Sequence, residues 1–403
     1  MTDNPVEKDT LAYPFERPNA LEPCPHYKRL RETGPLADIR MPSGDHALLV
    51  TDYDAVRTVL SDARFSRAAT ARPGAPRIGT EPQNAKNLLS MDPPEHTRVR
   101  RLVSREFTAR RVAALRPRIQ GCTDELLDAM ERTGAPTDLV PALAFPLPVT
   151  VICELLGVPL DEREQIAEWS GTVLSTVSLP VERIVAAHTG LATYLGGLIA
   201  AKQREPGDDL LSALVSIHEA DAERLDEEEL LHLAITLLIA GHETTTNQIG
   251  NSVLALLTHP EQFEAVRRDP GTVPAAVEEL LRFVPPGDEA TLRIATEDVK
   301  LSDTLVPAGT AVLASLASAN RDAAQFTDAD TLDVARTPGA QHLTFGYGIH
   351  YCLGAGLARL ELEIALESLL RRFPSLRLAV PAEEVPRSSG RLIHGVTSLP
   401  VAW

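Results

Sequence analysis

Between Asp226 and His259 the chain carries an apolar run that no small domain could hide, and it limits the fold more than any other stretch. Asp226 followed three residues later by Glu229 has capping-box spacing, so a helix starts there. Leu230, Leu231, Leu233, Ile235, Leu237, Leu238 and Ile239 follow, then Ile249, Val253, Leu254, Leu256 and Leu257. The run predicts a helix of about 30 residues, roughly 45 Å long. It is apolar on most sides, so it has to pass through the middle of the protein, with other helices wrapped around it. The expected class is mainly α with small β-sheets. The centre of the run, Ala240-Gly-His-Glu-Thr-Thr-Thr246, is poor helix. Glycine costs about 1 kcal/mol there and each threonine a few tenths. A polar, weakly helical patch in an apolar rod predicts a functional distortion. His242-Glu243 does not begin a zinc-protease motif, because the second histidine of that motif would fall at Thr246.

The second constraint is Phe345-Gly-Tyr-Gly-Ile-His-Tyr-Cys-Leu-Gly-Ala-Gly-Leu-Ala-Arg359. Cys352 stands among Gly346, Gly348 and Gly354, just before an apolar, helix-forming run (Leu357 to Leu366). Unpaired N–H groups and the helix dipole at such a start favour thiolate over thiol. The glycines suit tight turns or the approach of a flat object. Three readings are open from these residues: a buried structural cysteine, a nucleophile with His350 as its base, and a thiolate ligand to haem iron.

The phrase Phe-Gly-x-Gly-x-His-x-Cys-x-Gly, with Leu-Ala-Arg behind it, resembles the haem-binding loop of the cytochrome P450 superfamily. The resemblance implies that fold over the whole chain, 1–403, as a single domain. A long central helix would lie over haem b, with the cysteine loop beneath. It implies Cys352 as the axial metal ligand, Phe345 near its sulfur, His350 on a haem propionate and Gly354 in the cofactor loop. Ala240-Gly241-x-Glu243-Thr244 resembles the family's oxygen-activation motif. On that resemblance Ala240 and Gly241 lower the helix wall for haem and O2. Thr244 contacts the oxygen, and Glu243 relays protons to it. Taken alone, Glu243 reads equally as a surface ion pair, and Thr244 as back-bonded to a helix carbonyl.

Other segments join this pattern. Pro93 and Pro94 open a helix on which His96 and Arg100, four apart, share a face. They match the family's propionate clamp, and without that match they read as an exposed basic face. Arginines at 98, 101, 105, 110, 111, 116 and 118 form a local positive patch, either solvated or a dock for an acidic redox partner. Glu279-Leu-Leu-Arg282 resembles the family's structural Glu-x-x-Arg, with Arg336 as the expected third member. Arg293 matches a further propionate ligand. Ile239, Glu289, Ala290, Leu392 and Ile393 are the expected substrate contacts. If Asp288 or Glu289 faced the cavity, a basic amine would suit it; otherwise both are solvent-facing turn residues. Residues 66–87 are expected to form a mobile loop, 170–180 a lid or a buried loop, and 391–403 a closing hairpin.

Composition supports one large unit. The 31 prolines are spread as punctuation, and no linker, repeat or composition break marks a boundary. The net charge of −17 argues against nucleic acid as a partner. Cys24, Cys122, Cys153 and Cys352 show no pairing pattern, which fits a reducing cytoplasm. The polar N-terminus and the lack of an obvious span of about 20 apolar residues predict no membrane contact. The resemblance implies a monomeric monooxygenase that inserts one atom of O2 into a hydrophobic small molecule, by hydroxylation or epoxidation. Macrolides, polyketides and terpenoids, the substrates of antibiotic biosynthesis, are the expected class. Electrons would come from NAD(P)H through a separate ferredoxin and ferredoxin reductase. Oxidative rearrangement or coupling, peroxide-driven oxidation and, from another class, a cysteine hydrolase are the alternatives.

Overall fold

The structure is a computed structural model that describes residues 10–34, 36–78, 83–173, 179–288, 292–337, 339–388 and 393–403. Glu289, Ala290 and Leu392, with parts of the loops at 66–87 and 170–180, lie outside the described residues. Thirteen α-helices are assigned among those described. They are α1 (Pro25–Thr33), α2 (Tyr53–Ser61), α3 (Glu95–Ser104), α4 (Ala109–Thr133), α5 (Pro146–Leu156), α6 (Arg163–Val173) and α7 (Val181–Arg204). The rest are α8 (Leu210–Ala220), α9 (Glu227–Thr258), α10 (Pro260–Arg268), α11 (Val273–Phe283), α12 (Leu316–Ala319) and α13 (Ala355–Arg372). Eleven short strands complete the described part: β1 (Leu11–Ala12), β2 (Leu36–Arg40), β3 (His46–Val50), β4 (Phe65–Ser66), β5 (Thr137–Asp138) and β6 (Arg293–Ala295), then β7 (Val299–Leu301), β8 (Thr304–Val306), β9 (Ala311–Ala314), β10 (Arg377–Leu378) and β11 (Pro400–Ala402). The main sheet runs β1-β2-β3-β9-β6-β4 and places Arg293 opposite Val312.

Helix α9 is the axle. Asp226 accepts from the Glu229 N–H at 2.7 Å, and the Glu229 carboxylate accepts from the Asp226 N–H at 3.1 Å, which satisfies the first turn. Arg98 closes on Glu229 at 2.6 and 3.0 Å and ties α3 to this start. The first half of α9 gives Leu230 and Leu233 to Leu238 to one hydrophobic cluster, shared with α5, α7 and α8. The second half gives Ile249 and Val253 to Leu256 to another, shared with α4, α11 and α13. The polar stretch 240–248 therefore falls between two cores, where little apolar packing is lost.

That stretch is not broken. Helical structure continues through 240–246, contrary to the expected distortion. The Thr244 hydroxyl donates to the Ala240 carbonyl at 3.0 Å, and Asn247 donates to the Glu243 carbonyl at 2.7 Å. Packing on both sides outweighs the sum of about 2 kcal/mol in weak propensities.

Two other expectations are corrected. The C-terminal hairpin starts before residue 391: the Ser388 N–H donates to the Gly395 carbonyl at 2.8 Å and the Thr397 N–H to the Pro386 carbonyl at 2.9 Å, on either side of the turn that carries Ile393. Val396 bridges Arg387, and β11 pairs with β10 on one side and β5 on the other. Among the described residues α7 is long and apolar enough to cross a membrane. Its run is interrupted by His188, Thr189 and Thr193, which hid it in the sequence. In the fold Ala187, Leu191, Leu195 and Ile199 form its buried stripe.

Glu279 and Arg282 are buried on α11. Arg282 donates to the carboxylate at 2.7 and 2.8 Å and to the carbonyls of Asn320, Ala329 and Thr331. Arg336 donates to Glu279 at 3.0 Å. The three residues hold α11 to the loop preceding the cysteine segment.

Candidate active site

The cysteine segment is a turn clamped at both ends. The Cys352 N–H donates to the Phe345 carbonyl at 2.8 Å, and the Gly346 N–H to Leu343 at 2.7 Å. Gly348 has φ +72°, and a Cβ there would stand 2.6 Å from the Leu60 carbonyl of α2, so only glycine fits. Gly354 stands at the N-cap of α13. Thr344 hydrogen-bonds the Leu281 carbonyl at 2.7 Å, and Leu353 packs on the same cluster as Leu237 to Ile239. The loop is thus fixed to α11 and to the first half of α9. The guanidinium of Arg359 lies 4.5 Å above the Phe345 ring and donates to Glu278 at 2.6 and 3.0 Å.

Cys352 is the one free cysteine with an exposed side chain among the described residues. The surrounding protein still removes most of the water that would stabilise its anion, and this pushes the thiol up. The N–H groups of Gly354 and Ala355, with Arg100 and Arg359, oppose the shift without reversing it. The helix start alone therefore does not make a thiolate here; a cation at the sulfur would have to supply the rest.

A cluster of nitrogen donors meets nearby. The His96 and His350 rings are 4.3 Å apart. Burial beside Arg100 and Arg293 holds His96 down at about 4. Burial, with Arg293, His96, Arg67 and Arg100, holds His350 down at about 2. Arg293 is lowered to about 10 and Arg67 to about 9, both chiefly by burial. His96 Nε2, His350 Nε2 and Arg293 Nε are buried with no hydrogen-bond partner among the described residues. Buried polar nitrogens without a hydrogen-bond partner cost about 1–3 kcal/mol each. Three of them, pointed into one region of like charge, fit a ligand that brings carboxylates. Arg100 donates to the Tyr351 carbonyl, which joins this cluster to the cysteine turn. Burial and the surrounding arginines disfavour the protonated His350 that a general base would have to reach, which speaks against the hydrolase alternative. Arg67 was not singled out in the sequence, where it is one of three arginines, with Arg72 and Arg77, in a stretch read as loop. It is buried, with Nε 2.5 Å from the Leu89 carbonyl and its N–H on Asp92 at 2.9 Å.

On α9, Ala240 is exposed, while Ile239, Gly241, Glu243 and Thr244 are half-buried. Ala240 and Thr244 share one face. Gly241 faces elsewhere. A Cβ there would lie 2.5 Å from Ile152 of α5, so its small size serves helix packing. Ile393 is half-buried. Asp288 is neither solvent-facing nor open; it is buried and paired with Arg17 and His394. Of the positive patch, Arg98, Arg111, Arg116 and Arg118 are each paired with a glutamate. Arg101, Arg105 and Arg110 are exposed.

A family model described as "Cytochrome P450" matches residues 25–202 and 198–396. The chain is 52% identical to nocardicin C N-oxygenase from Nocardia uniformis subsp. tsuyamanensis, over 98% of this chain and 99% of that one. It is 49% identical to mycinamicin IV hydroxylase/epoxidase from Micromonospora griseorubida, over 97% and 98%. It is similar to the crystal structure of the LnmA cytochrome P450 hydroxylase of the leinamycin pathway from Streptomyces atroolivaceus S-140. There the TM-score is 0.89 and the identity 48%, over 98% of this chain and all of that one (100%).

Proposed function

The chain belongs to the cytochrome P450 family and is a haem-dependent monooxygenase, and from that premise we propose that it tailors a hydrophobic secondary metabolite of the macrolide, polyketide or terpenoid class. The observation that carries the site assignment is the convergence of an exposed cysteine with three unpartnered buried nitrogens. Haem b fits that donor set. Its two carboxylates would take His96, Arg100, Arg293 and His350, with Arg67 behind them, and Cys352 would hold the iron. When bound, the haem supplies the chemistry that activates O2.

The chain's own residues supply the remainder. Phe345, held under the Arg359 guanidinium, would pack beside the sulfur. Ala240 leaves room on α9 at the one exposed position of its central turn. The Thr244 hydroxyl, which donates to the Ala240 carbonyl in this structure, keeps two lone pairs to accept a hydrogen bond and can turn its proton outward. Glu243, beside it and half-buried, passes protons between solvent and the Thr244 hydroxyl. Ile239 and Ile393 would line the substrate side. An apolar lining holds a hydrophobic molecule and excludes water. Exposed Arg101, Arg105 and Arg110 offer an acidic ferredoxin a landing site, with electrons drawn from NAD(P)H by a ferredoxin reductase. We place the enzyme in the cytoplasm as a monomer.

The test is turnover with heavy-isotope O2, NADPH, a ferredoxin and its reductase, on a panel of macrolides and terpenoids. One labelled oxygen in the product is expected. Products without label, or equal turnover without the redox proteins, would overturn the reading.

A further inference from the structure

The turn that carries Ile393 is held by buried charges that play no part in the chemistry above. Asp288 is 3% exposed. Its Oδ1 lies 3.5 Å from Arg17 Nη1, and its Oδ2 lies 3.7 Å from His394 Nε2. Neither contact is a direct hydrogen bond; Asp288 and Arg17 attract as opposite charges, while His394, whose protonated form burial disfavours, meets the carboxylate as a polar ring. Their backbones are fixed independently. The Asp288 carbonyl accepts from the Ser315 hydroxyl and the Ala317 N–H, both at 3.1 Å. The His394 N–H donates to the Pro286 carbonyl at 2.6 Å, and the His394 carbonyl accepts from Asn251 of α9 at 3.1 Å. The next residue, Gly395, sits directly on α9: a Cβ there would stand 1.9 Å from Asn247 Oδ1. Asn247 in turn donates to the Glu243 carbonyl at 2.7 Å. A connected path therefore runs from the N-terminal segment, through Asp288 and His394, to the turn of α9 that carries Glu243 and Thr244.

We propose that Asp288, clasped between Arg17 and His394, is a positioning residue that fixes how closely the Ile393–Gly395 turn approaches α9 and so sets the size of ligand the site admits. The proposal rests on the P450 reading of the site. Asp288 does not serve as a receptor for a substrate amine, since its carboxylate is already turned towards a guanidinium and an imidazole. Without its charge the Arg17 guanidinium has no anion to close on, and the turn keeps only its backbone bonds to Pro286 and Asn251.

The test uses the haem-loaded protein and two probes that bind iron but differ in bulk, imidazole and 4-phenylimidazole, titrated by the shift of the Soret band. Asp288→Asn keeps the shape and removes the charge. It is expected to leave imidazole affinity within about twofold and to change 4-phenylimidazole affinity by about fivefold or more. Asp288→Glu, which keeps the charge, is expected to restore the larger probe to within about twofold. Arg17→Gln removes the same ion pair from its other side and should repeat the Asp288→Asn result, even if that variant does not fold. Equal changes for both probes, or no change for either, would overturn the proposal. Failure of the parent protein to bind haem would instead overturn the reading of the site.

Discussion

Glu278 and Glu279 are adjacent on α11, both are ion-paired, and they are expected to differ sharply when each is changed to glutamine. Glu279 is 4% exposed, and its carboxylate accepts four hydrogen bonds: two from Arg282, one from Arg336 and one from the Asp333 N–H. Glu279→Gln keeps the volume but leaves Arg282, itself 2% exposed, as a buried cation with only carbonyl partners. It also turns an amide N–H₂ towards groups that are themselves donors. Removing one partner of a buried pair costs about 3–5 kcal/mol. The Glu278 side chain is 42% exposed, and its partners are Arg359 and His342. Water screens such a pair, so Glu278→Gln is expected to cost about 0–1 kcal/mol. Urea unfolding of the haem-loaded protein, followed by far-UV circular dichroism, measures both. Equal losses, or a loss under about 1 kcal/mol for Glu279→Gln, would refute the claim that this buried charge holds the fold.

Three further outcomes follow from the geometry. Gly348→Ala forces a side chain at φ +72° against the Leu60 carbonyl, so the protein should fold but retain haem poorly, read as the Soret-to-protein absorbance ratio. Arg67→Gln should weaken haem retention in the same assay, by about tenfold if one charge-assisted contact of about 1.5 kcal/mol is lost. Burial tends to raise the Glu278 carboxyl, but hydrogen bonds from His342 and Arg359 outweigh it and hold the group below the usual 4.5; with the side chain 42% exposed, water screens these contacts, so the contribution stays within about 0–1 kcal/mol. A depressed carboxyl stabilises the fold above its unfolded value and loses that contribution as pH falls. The stability gap between the parent and Glu278→Gln should therefore close as pH falls below about 4.5 in acid titrations followed by circular dichroism.

The features legible in the sequence are those whose signal is local. The Asp226–Glu229 cap, the apolar length of α9, the glycine spacing around Cys352 and the Glu279–Arg282 pair are set by residues a few positions apart. Arg336 could be matched to them only through a family pattern. What was missed depends on distant neighbours. Propensity alone made 240–246 look unfit for helix, yet packing from two clusters keeps it helical. Gly241 looked like an opening for a flat cofactor, and Ile152, nearly ninety residues away, is what occupies that side. Asp288 looked like a surface turn residue because its partners, Arg17 and His394, come from opposite ends of the chain. Arg67 carried no spacing signal at all; only its burial beside Arg293 and Asp92 brings it to the donor cluster.

The central claim is that the Cys352 sulfur holds iron as a thiolate. The most direct measurement is the carbon monoxide difference spectrum of the reduced protein, parent beside Cys352→Ser. A thiolate ligand predicts a strongly red-shifted Soret band in the parent, and loss of that band in the variant while its pigment moves to the position of a non-thiolate haem or disappears. An unchanged red-shifted band in Cys352→Ser, or no haem band in the parent, would contradict it.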